Sequence, residues 1–423
     1  MDWGRKLGMA IPAAIAAAFG ACATPANAQD VNLFGPDAWS LSADARLVVA
    51  DGERSWTANG YGKLRFGDEV GPRLGTIDAV WQPRFGWALS ATVTGTVQQE
   101  DDELHAGISE AFLSLKSQPG NGVRVSGRAG LMWVPSSLEH EGADWHVADT
   151  ITPSAINSWI GEEVRPLAVE AKALIPAGDH RLEATGAIIA ANDTAGTLLT
   201  FRGWALHDLK LLDGRRWPLP SLSPEFEPYQ PHYTHPLLDA LPGFAKRPGY
   251  YAKFAWAPPA PVRLELFRYE NRGDPEAANE DREWAWRTRF NQIGIVVQPH
   301  ETLTIKGQAL SGTTEMGLEE AGRYWIDARF RSAFALVTWK SGRQGLSVRA
   351  EAFGVQQRGS LVDDDDGERG WAATLAGHRM LNDHLSLWAE GLHVASRRDG
   401  RRRDDLDWHQ IQNQLQLVLR AHW

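Results

Sequence analysis

Cysteine is nearly absent from the sequence, because Cys22 is the only one in 423 residues. It lies in an N-terminal segment with the features of a cleaved leader, so the rest of the chain is predicted to have no disulfide and no thiolate metal site. Acylation of Cys22, as in lipoproteins, is an alternative, although Phe19-Gly20-Ala21 departs from the residues that usually precede such a cysteine. An exported chain of this length without disulfides must depend on hydrogen bonds and buried apolar surface.

Residues 1–28 have the three parts of a secretory signal peptide. Arg5 and Lys6 are basic, the next fifteen residues are apolar or small, and Ala26-Asn27-Ala28 matches a cleavage site. The apolar part is too short and too weakly flanked for a transmembrane helix. We therefore predict that the chain is exported and that these residues are removed.

Long apolar runs are also missing, because no segment after the leader approaches the roughly 18 consecutive apolar residues of a membrane helix. This excludes a bundle of membrane helices. The mean hydropathy of −0.34 is that of a soluble protein. A transmembrane β-barrel would have the same value, because only alternate residues of its strands meet lipid.

Motifs of catalysis are absent as well. The chain contains no G-x-S-x-G, H-E-x-x-H or P-loop sequence. His232 and His235 stand too far from other ligand residues to suggest a metal site. We expect no enzyme activity, no catalytic residue, no metal, no cofactor and no nucleic-acid partner.

The pattern that is present is clearest at the end of the chain, from Trp408 to Trp423. Alternate positions divide into an apolar face, interrupted by Asn413, and a face of four glutamines with Arg420. The apolar positions are Ile411, Leu415, Leu417, Leu419, Ala421 and Trp423. A period of two indicates a β-strand with one apolar and one polar face. A half-exposed strand of a soluble sandwich is the alternative.

The same period recurs along the chain in segments of about ten residues, separated alternately by short turns and longer polar loops. Counting by this alternation predicts sixteen strands, near 55–66, 73–82, 87–98, 105–116, 123–134, 166–175, 180–191, 248–257, 262–271, 284–297, 302–313, 324–339, 345–358, 370–380, 384–396 and 408–423. Two further strand-like segments, 39–50 and 197–209, would give eighteen. We prefer sixteen, with 39–50 as an extension and 197–209 in a large loop.

The sequence resembles the outer-membrane β-barrels of Gram-negative bacteria, porins in particular. The resemblance rests on the strands with a period of two, the alternating turns and loops, the signal peptide and the terminal Trp423. The resemblance implies an all-β fold, a closed transmembrane antiparallel barrel in the cell outer membrane. It implies that Trp423 is an assembly signal read by the barrel assembly machinery. Outer-membrane lipid, lipopolysaccharide and small solutes are the implied partners, and a homotrimer is an alternative to a single barrel.

The domain organisation follows from the strand count. Residues 1–28 are the signal peptide, 29–54 an N-terminal extension or an extra strand, and 55–423 the barrel. A separate N-terminal plug domain of the kind found in energised receptors is not expected.

In a barrel with a wet interior, the polar face of each strand lines the lumen. We therefore place a ring of arginines there as candidates for a selectivity element, because arginine supplies fixed positive charge and bidentate donors. Arginines paired with glutamates that only brace the wall are the alternative. The candidates are Arg124, Arg128, Arg287, Arg289, Arg329, Arg331 and Arg349.

The loop 138–164 contains a predicted short helix, with Thr152 as its cap and Pro153 at its first position. Its apolar face suggests that the loop folds into the barrel and narrows it, as constriction loops of porins do. A surface lid is the alternative. The residues assigned to this constriction are Glu139, Glu141, Asp144, Trp159, Glu162 and Glu163.

The segment 195–247 is rich in proline and aromatic residues. It is predicted to be a second inward loop, or an aromatic path for sugars like that of maltoporin. The acidic run Asp363 to Asp366 and the basic run Arg397 to Arg403 are solvated loops or contacts to divalent cations and lipopolysaccharide phosphates.

These patterns predict a porin-type channel for passive diffusion of small polar solutes, anionic ones in particular. The alternative is a non-conducting outer-membrane barrel, structural, adhesive or enzymatic, whose lumen is plugged by 138–164 and 195–247.

Overall fold

The computed structural model describes residues 31–117, 122–191, 195–234, 248–278, 282, 284–360 and 366–423. The predicted signal peptide lies outside these residues. Sixteen strands, each antiparallel to its neighbours, form a closed barrel, because the first strand also pairs with the last, Ser42 with His422 at one end and Asp51 with Asn413 at the other. Closure leaves no unpaired sheet edge.

The strands are β1 Trp39–Asp51, β2 Val70–Trp81, β3 Leu89–Glu100, β4 Glu103–Lys116, β5 Arg124–Leu131, β6 Leu167–Ala177, β7 His180–Ala191, β8 Gly249–Ala257, β9 Val262–Glu270, β10 Arg287–His300, β11 Leu303–Glu320, β12 Arg323–Ser341, β13 Gln344–Gln357, β14 Glu368–Met380, β15 Leu385–Arg398 and β16 His409–His422. Two short helices, α1 Ala155–Ile160 and α2 Ala195–Phe201, lie in loops. Within the described ranges, no helix is both long and apolar enough to cross a membrane. Two-residue strands pair Val31–Asn32 with Arg84–Phe85, and His140–Glu141 with His146–Val147.

The predicted number of strands is confirmed, and fifteen of the predicted segments coincide with strands. The first prediction, 55–66, is wrong. That segment makes a turn of 3₁₀ helix at Trp56–Ala58 and folds back on itself. A Cβ on Gly60 would lie 2.1 Å from the Arg54 carbonyl oxygen, so the close approach of backbone to backbone requires glycine there. The first barrel strand is instead β1, in the segment assigned to an N-terminal extension.

The two ends of the barrel differ in the length of their connections. At one end the strands are joined by short turns, such as Gly178-Asp179 and Gly342-Arg343. At the other end lie the long connections 52–69, 132–166 and 192–248. Outer-membrane barrels place short turns in the periplasm and long loops outside the cell. The strand predicted at 302–313 is longer in the structure, because β11 continues to Glu320 and meets β12 at the turn Ala321-Gly322.

The faces of β16 lie as predicted. Ile411, Leu415 and Leu417 point outward and are exposed, while the glutamines between them are buried in the interior. Asn413, on the outward face, donates from its side-chain amide to Asp51, and its side-chain oxygen accepts from Nδ1 of His393 on the neighbouring strand. Trp423 is exposed on the outside, at the periplasmic end, where its backbone pairs with Leu41. Its role in assembly stays a prediction.

Candidate functional site

Three loops from the extracellular end fold into the barrel. They are residues 52–69, 132–166 and the described part 195–234 of the longest loop, and we call them the plug. They meet one another inside, since Leu64 and Leu206 form a β-bridge and the Leu206 amide donates to the Lys63 carbonyl at 2.8 Å. The prediction that the loop 138–164 and the segment after 195 turn inward is confirmed for these residues.

The second plug loop is fastened to the far wall by carboxylates and one arginine. Arg349 of β13 donates to Glu139 at 2.9 Å and to Glu351 at 3.0 Å. Glu351 accepts from the Ala155 amide at 2.6 Å, at the start of α1, where the partial positive charge of the helix end favours a carboxylate. Glu390 of β15 accepts from the amides of two residues just before that helix.

Helix α1 begins two residues later than the sequence predicts. Its cap is Ser154, whose hydroxyl accepts from the Asn157 amide at 3.3 Å, and not Thr152. The reason is Arg349, which takes the carbonyls of Thr152 and Pro153 as hydrogen-bond acceptors and so holds both residues outside the helix.

The helix buries its apolar face against aromatic residues of the wall. Trp159 is 1 % exposed and lies 5.0 Å from the ring of Phe330 and 5.4 Å from that of Phe290. Trp204 of the third loop completes this group at 5.9 Å. Trp204 and Trp217 are completely buried, so they form part of a packed core and no aromatic path for sugars passes along them.

The opposite side of the plug meets the wall through charges. Asp208 accepts from Arg46 of β1 at 2.5 Å and from Arg65 of the first loop at 2.9 Å. Lys210 forms an ion pair with Asp78 of β2 at 3.0 Å. Burial alone would raise the pKa of Asp208, but the two guanidinium groups outweigh it and hold that pKa well below its usual range. The carboxylate is therefore ionised and ties two plug loops to β1.

The remaining acids of the predicted constriction have different surroundings. Glu163 is buried and accepts from Arg202 at 2.8 Å and bonds His207 at 2.7 Å. Asp144 and Glu141 face the periplasmic side of the plug, where Glu141 is largely exposed. Burial favours the neutral form of Asp144, but the hydrogen bond and charge of His146 prevail and lower its pKa to about 2. Glu163 therefore neutralises bases within the filled interior, whereas Asp144 and Glu141 lie at its periplasmic edge.

Glu162 and His140 form a buried pair, joined at 2.8 Å. Burial raises the pKa of Glu162 well above its ordinary value and lowers the pKa of His140 to about 3. Burial therefore disfavours the charged form of both partners, which suits a site without water.

This pair predicts a pH dependence. Below pH 6.5 an unfolded chain protonates His140 while the folded plug does not until about pH 3, so stability falls as the pH falls. Glu162 has the opposite effect, because its pKa is higher in the folded than in the unfolded protein. It adds stability as the pH falls to the unfolded pKa of 4.5, and its contribution does not change further below that pH. We expect net loosening of the plug between about pH 4.5 and pH 3, measured by the fluorescence of Trp145, which stacks on His140.

His140→Gln should remove this acid transition, whereas the same substitution at the exposed His232 should leave it in place. An unchanged transition in His140→Gln would assign the loosening to other groups.

Three of the seven arginines that were predicted to line the lumen face inward, and four do not. Arg124, Arg128 and Arg349 face inward, and Arg128 forms a bidentate pair with Glu170 at 2.8 and 2.9 Å. Arg287, Arg289, Arg329 and Arg331 face outward, because they alternate with residues that are buried in the interior. The reason is the plug, whose aromatic core makes the inner face of β10 and β12 apolar at this height.

Several interior residues with charged side chains were not predicted from the sequence. Asp44 and Arg46 belong to β1, which the strand count left out of the barrel. Their alternation with outward Leu47 and Val49 was a usable signal. Asp208 and Lys210 lie in a loop without a repeating pattern, so no signal from periodicity was available for them.

Two cavities of very different size lie inside the barrel. A cavity of about 30 Å³ lies between the plug and the wall, lined by Asp44, Asp78 and Lys210 among others, which is room for one or two water molecules. Nearer the periplasmic end a cavity of about 520 Å³ is lined by Arg124, Arg181 and Arg263. We call this wider space the vestibule.

No protein-family model and no curated protein matches the sequence. Solved structures do. The outer membrane channel DcaP of Acinetobacter baumannii superposes with a TM-score of 0.52 at 9% identity, over 95% of this chain and 100% of that one. An anion-selective porin from Comamonas acidovorans gives 0.51 at 11% identity, over 91% and 98% of the two chains. With its closed antiparallel strands and exposed outward apolar residues, the chain has the fold of the outer-membrane porins.

Proposed function

We propose that the protein is a channel of the porin fold that is closed by its own plug and passes small solutes only when the plug is displaced. The observation that carries the proposal is the filled interior. The cavity where the plug meets β1 and β2 has a volume of about 30 Å³, too small for a hydrated solute. The proposal assigns the protein no catalytic step.

The contacts of the plug with the barrel wall differ between its two sides, and this difference indicates on which side a path could open. Towards β10 and β12 the contacts are aromatic and dry, as between Trp159 and Phe330. Towards β1, β2 and β3 they are hydrogen bonds and ion pairs, such as those of Asp208 and Lys210. Polar groups can exchange their partners for water, which apolar groups cannot. A water-filled path is therefore expected along the β1 side.

The vestibule favours anions as the transported solutes. Of the three arginines that line it, Arg263 has acidic partners, Glu265 at 2.6 Å and Glu183 at 3.3 Å. Arg124 and Arg181 form no ion pair with any described residue. The excess of positive charge acts on ions within about 8 Å at physiological salt.

Single-channel recording in planar bilayers tests the proposal. We expect the unmodified protein to be mostly closed, and its brief openings to prefer chloride in the zero-current potential of a KCl gradient. Arg124→Gln with Arg181→Gln should weaken this preference, because it removes the unpaired charges. The matched control is Arg343→Gln with Arg379→Gln, which changes the same net charge at the exposed periplasmic rim.

A steady conductance typical of a water-filled barrel of this size would contradict the closed plug. Absence of current in every variant, including those that release the plug, would favour the non-conducting barrel.

A further inference from the structure

The four arginines that were expected in the lumen lie on the outside of the barrel, towards its extracellular end. In β12, Arg329 and Arg331 alternate with Phe330 and Ser332, which are buried in the interior. Arg287 and Arg289 have the same orientation in β10. Arg369 of β14 also points outward and is exposed. Charged residues on the lipid-facing surface of a barrel are unfavourable, so this group needs an explanation.

The apolar surface below these arginines is unusually short. On β16 the outward apolar positions extend from Ile411 to Ala421, interrupted by Asn413, but on β12 they extend only from Ala333 to Trp339. Arg331 is eight residues from Trp339. At about 3.3 Å per residue and a tilt of about 40°, it lies roughly 20 Å above Trp339, within or at the edge of an apolar band about 25 Å tall. Arg331 is therefore at the level where lipid headgroups meet acyl chains.

The arginines on β10 have partners within the protein. Arg289 contacts Glu315 of β11 at 3.0 Å, and Arg287 bonds the same carboxylate. Arg329, Arg331 and Arg369 differ, because no carboxylate among the described residues forms an ion pair with them. Three positive charges thus face the outer leaflet without a counter-charge from the described part of the chain.

The unpaired arginines surround a groove of about 560 Å³ on the outer surface of β11 to β14. Gly354 of β13 lies between Arg331 and Arg369 in the register of the strands. Since neighbouring strands are about 4.8 Å apart, the two arginine backbones are roughly 10 Å apart with no side chain between them. The floor of the groove continues downward along Ala333 and Ala352, which are small and apolar.

We propose that this groove binds a phosphate group of lipopolysaccharide in the outer leaflet, with an acyl chain along the alanines below. Arginine pairs with phosphate through two parallel hydrogen bonds, and the groove offers three such side chains around one gap. A second copy of this chain is the less favoured occupant, because it would have to bring carboxylates to an arginine surface at the same height. The proposal depends on the outer-membrane location and not on whether the barrel conducts.

The test compares the folded protein with a variant that combines Arg329→Gln, Arg331→Gln and Arg369→Gln. The measurement is the amount of lipid A that remains bound after detergent purification, together with titration by diphosphorylated and dephosphorylated lipid A. We expect diphosphorylated lipid A to bind the unmodified protein at least about tenfold more tightly than the variant, since charge-assisted contacts are lost. Dephosphorylated lipid A should not distinguish the two proteins.

The matched control removes three arginines from the periplasmic end instead, by Arg84→Gln, Arg343→Gln and Arg379→Gln, and should bind like the unmodified protein. Substitution of the three groove arginines by lysine keeps the charge and should give intermediate affinity. Heat-dependent mobility in gels shows that each variant is folded.

Equal binding of diphosphorylated lipid A by the triple glutamine variant and the unmodified protein would overturn the proposal. So would competition by inorganic phosphate alone, which would make the groove a site for a free anion. A change in chemical cross-linking between barrels without any change in lipid binding would assign the surface to a second copy.

Discussion

Replacing Arg349 by methionine should release the second plug loop and strongly reduce the stability of the barrel. Arg349 is 1 % exposed and contacts Glu139 and Glu351 on either side. Methionine has a similar length and no charge, so the substitution leaves two acidic side chains in a site without water. Removing one partner of a buried ion pair typically costs about 3–5 kcal/mol. The measurement is the temperature at which the folded form converts to the unfolded form in detergent.

Arg128→Met is the matched control. Arg128 pairs with Glu170 of the neighbouring strand, but its side chain is 26 % exposed. Water can replace the lost contact there, so a smaller loss of stability is expected. Equal melting temperatures for the two variants would mean that Arg349 does not fasten the plug. Partial recovery by Glu139→Gln in the Arg349→Met background would support the pairing directly.

The strands of this protein could be predicted from the sequence because lipid and lumen impose a period of two on every strand. The pattern in β16, with leucines outward and glutamines inward, depends only on the local sequence and on that period. Even the strand ends were close, since turns such as Gly342-Arg343 have their own residue preferences. These features do not require knowledge of distant contacts.

The orientation of β10 and β12 could not be predicted by the same rule. The rule that polar residues face the lumen assumes water inside the barrel. Here the lumen side of Phe330 is occupied by Trp159, which lies far away in the sequence. Once the plug is known, the outward position of Arg329 and Arg331 follows. Phe330, which alternates with them, must face the apolar plug. The arginines then point outward, above the apolar residues of β12 that face lipid.

The contacts between the plug loops could not be predicted from the sequence either. The segment 55–66 has the alternation of a strand, but its glycines allow the backbone to fold back. The pairing of Arg65 with Asp208 joins two loops that are separated by more than a hundred residues. No periodicity marks such a pair, so the inward folding of the loops was predictable from their apolar residues while their attachment was not.

Asp208→Asn should open the channel. Asp208 is the shared acceptor of Arg46 and Arg65, and its substitution leaves Arg65 with backbone carbonyls alone, such as those of Gly75 and Gln99. Two guanidinium groups then repel each other in a buried site, at a cost of about 3–5 kcal/mol for the uncompensated charge. Because the plug meets β1 through this carboxylate, we expect the loss to fall on the closed state. The measurement is the fraction of time that single channels are open.

Acid alone should not reproduce this opening through Asp208. Its pKa is held well below the usual range, so its stabilising effect is present above the ordinary value of 3.8 and is lost only as the pH falls through the much lower folded value. The substitution therefore removes at neutral pH a charge that protonation cannot remove under mild acid. Asp213→Asn is the matched control, because Asp213 belongs to the same loop and is exposed. If both variants open equally often, the net charge of the loop and not the Arg46–Asp208–Arg65 contact controls the plug. If neither variant conducts, the barrel is a closed structure whose plug has no role in transport.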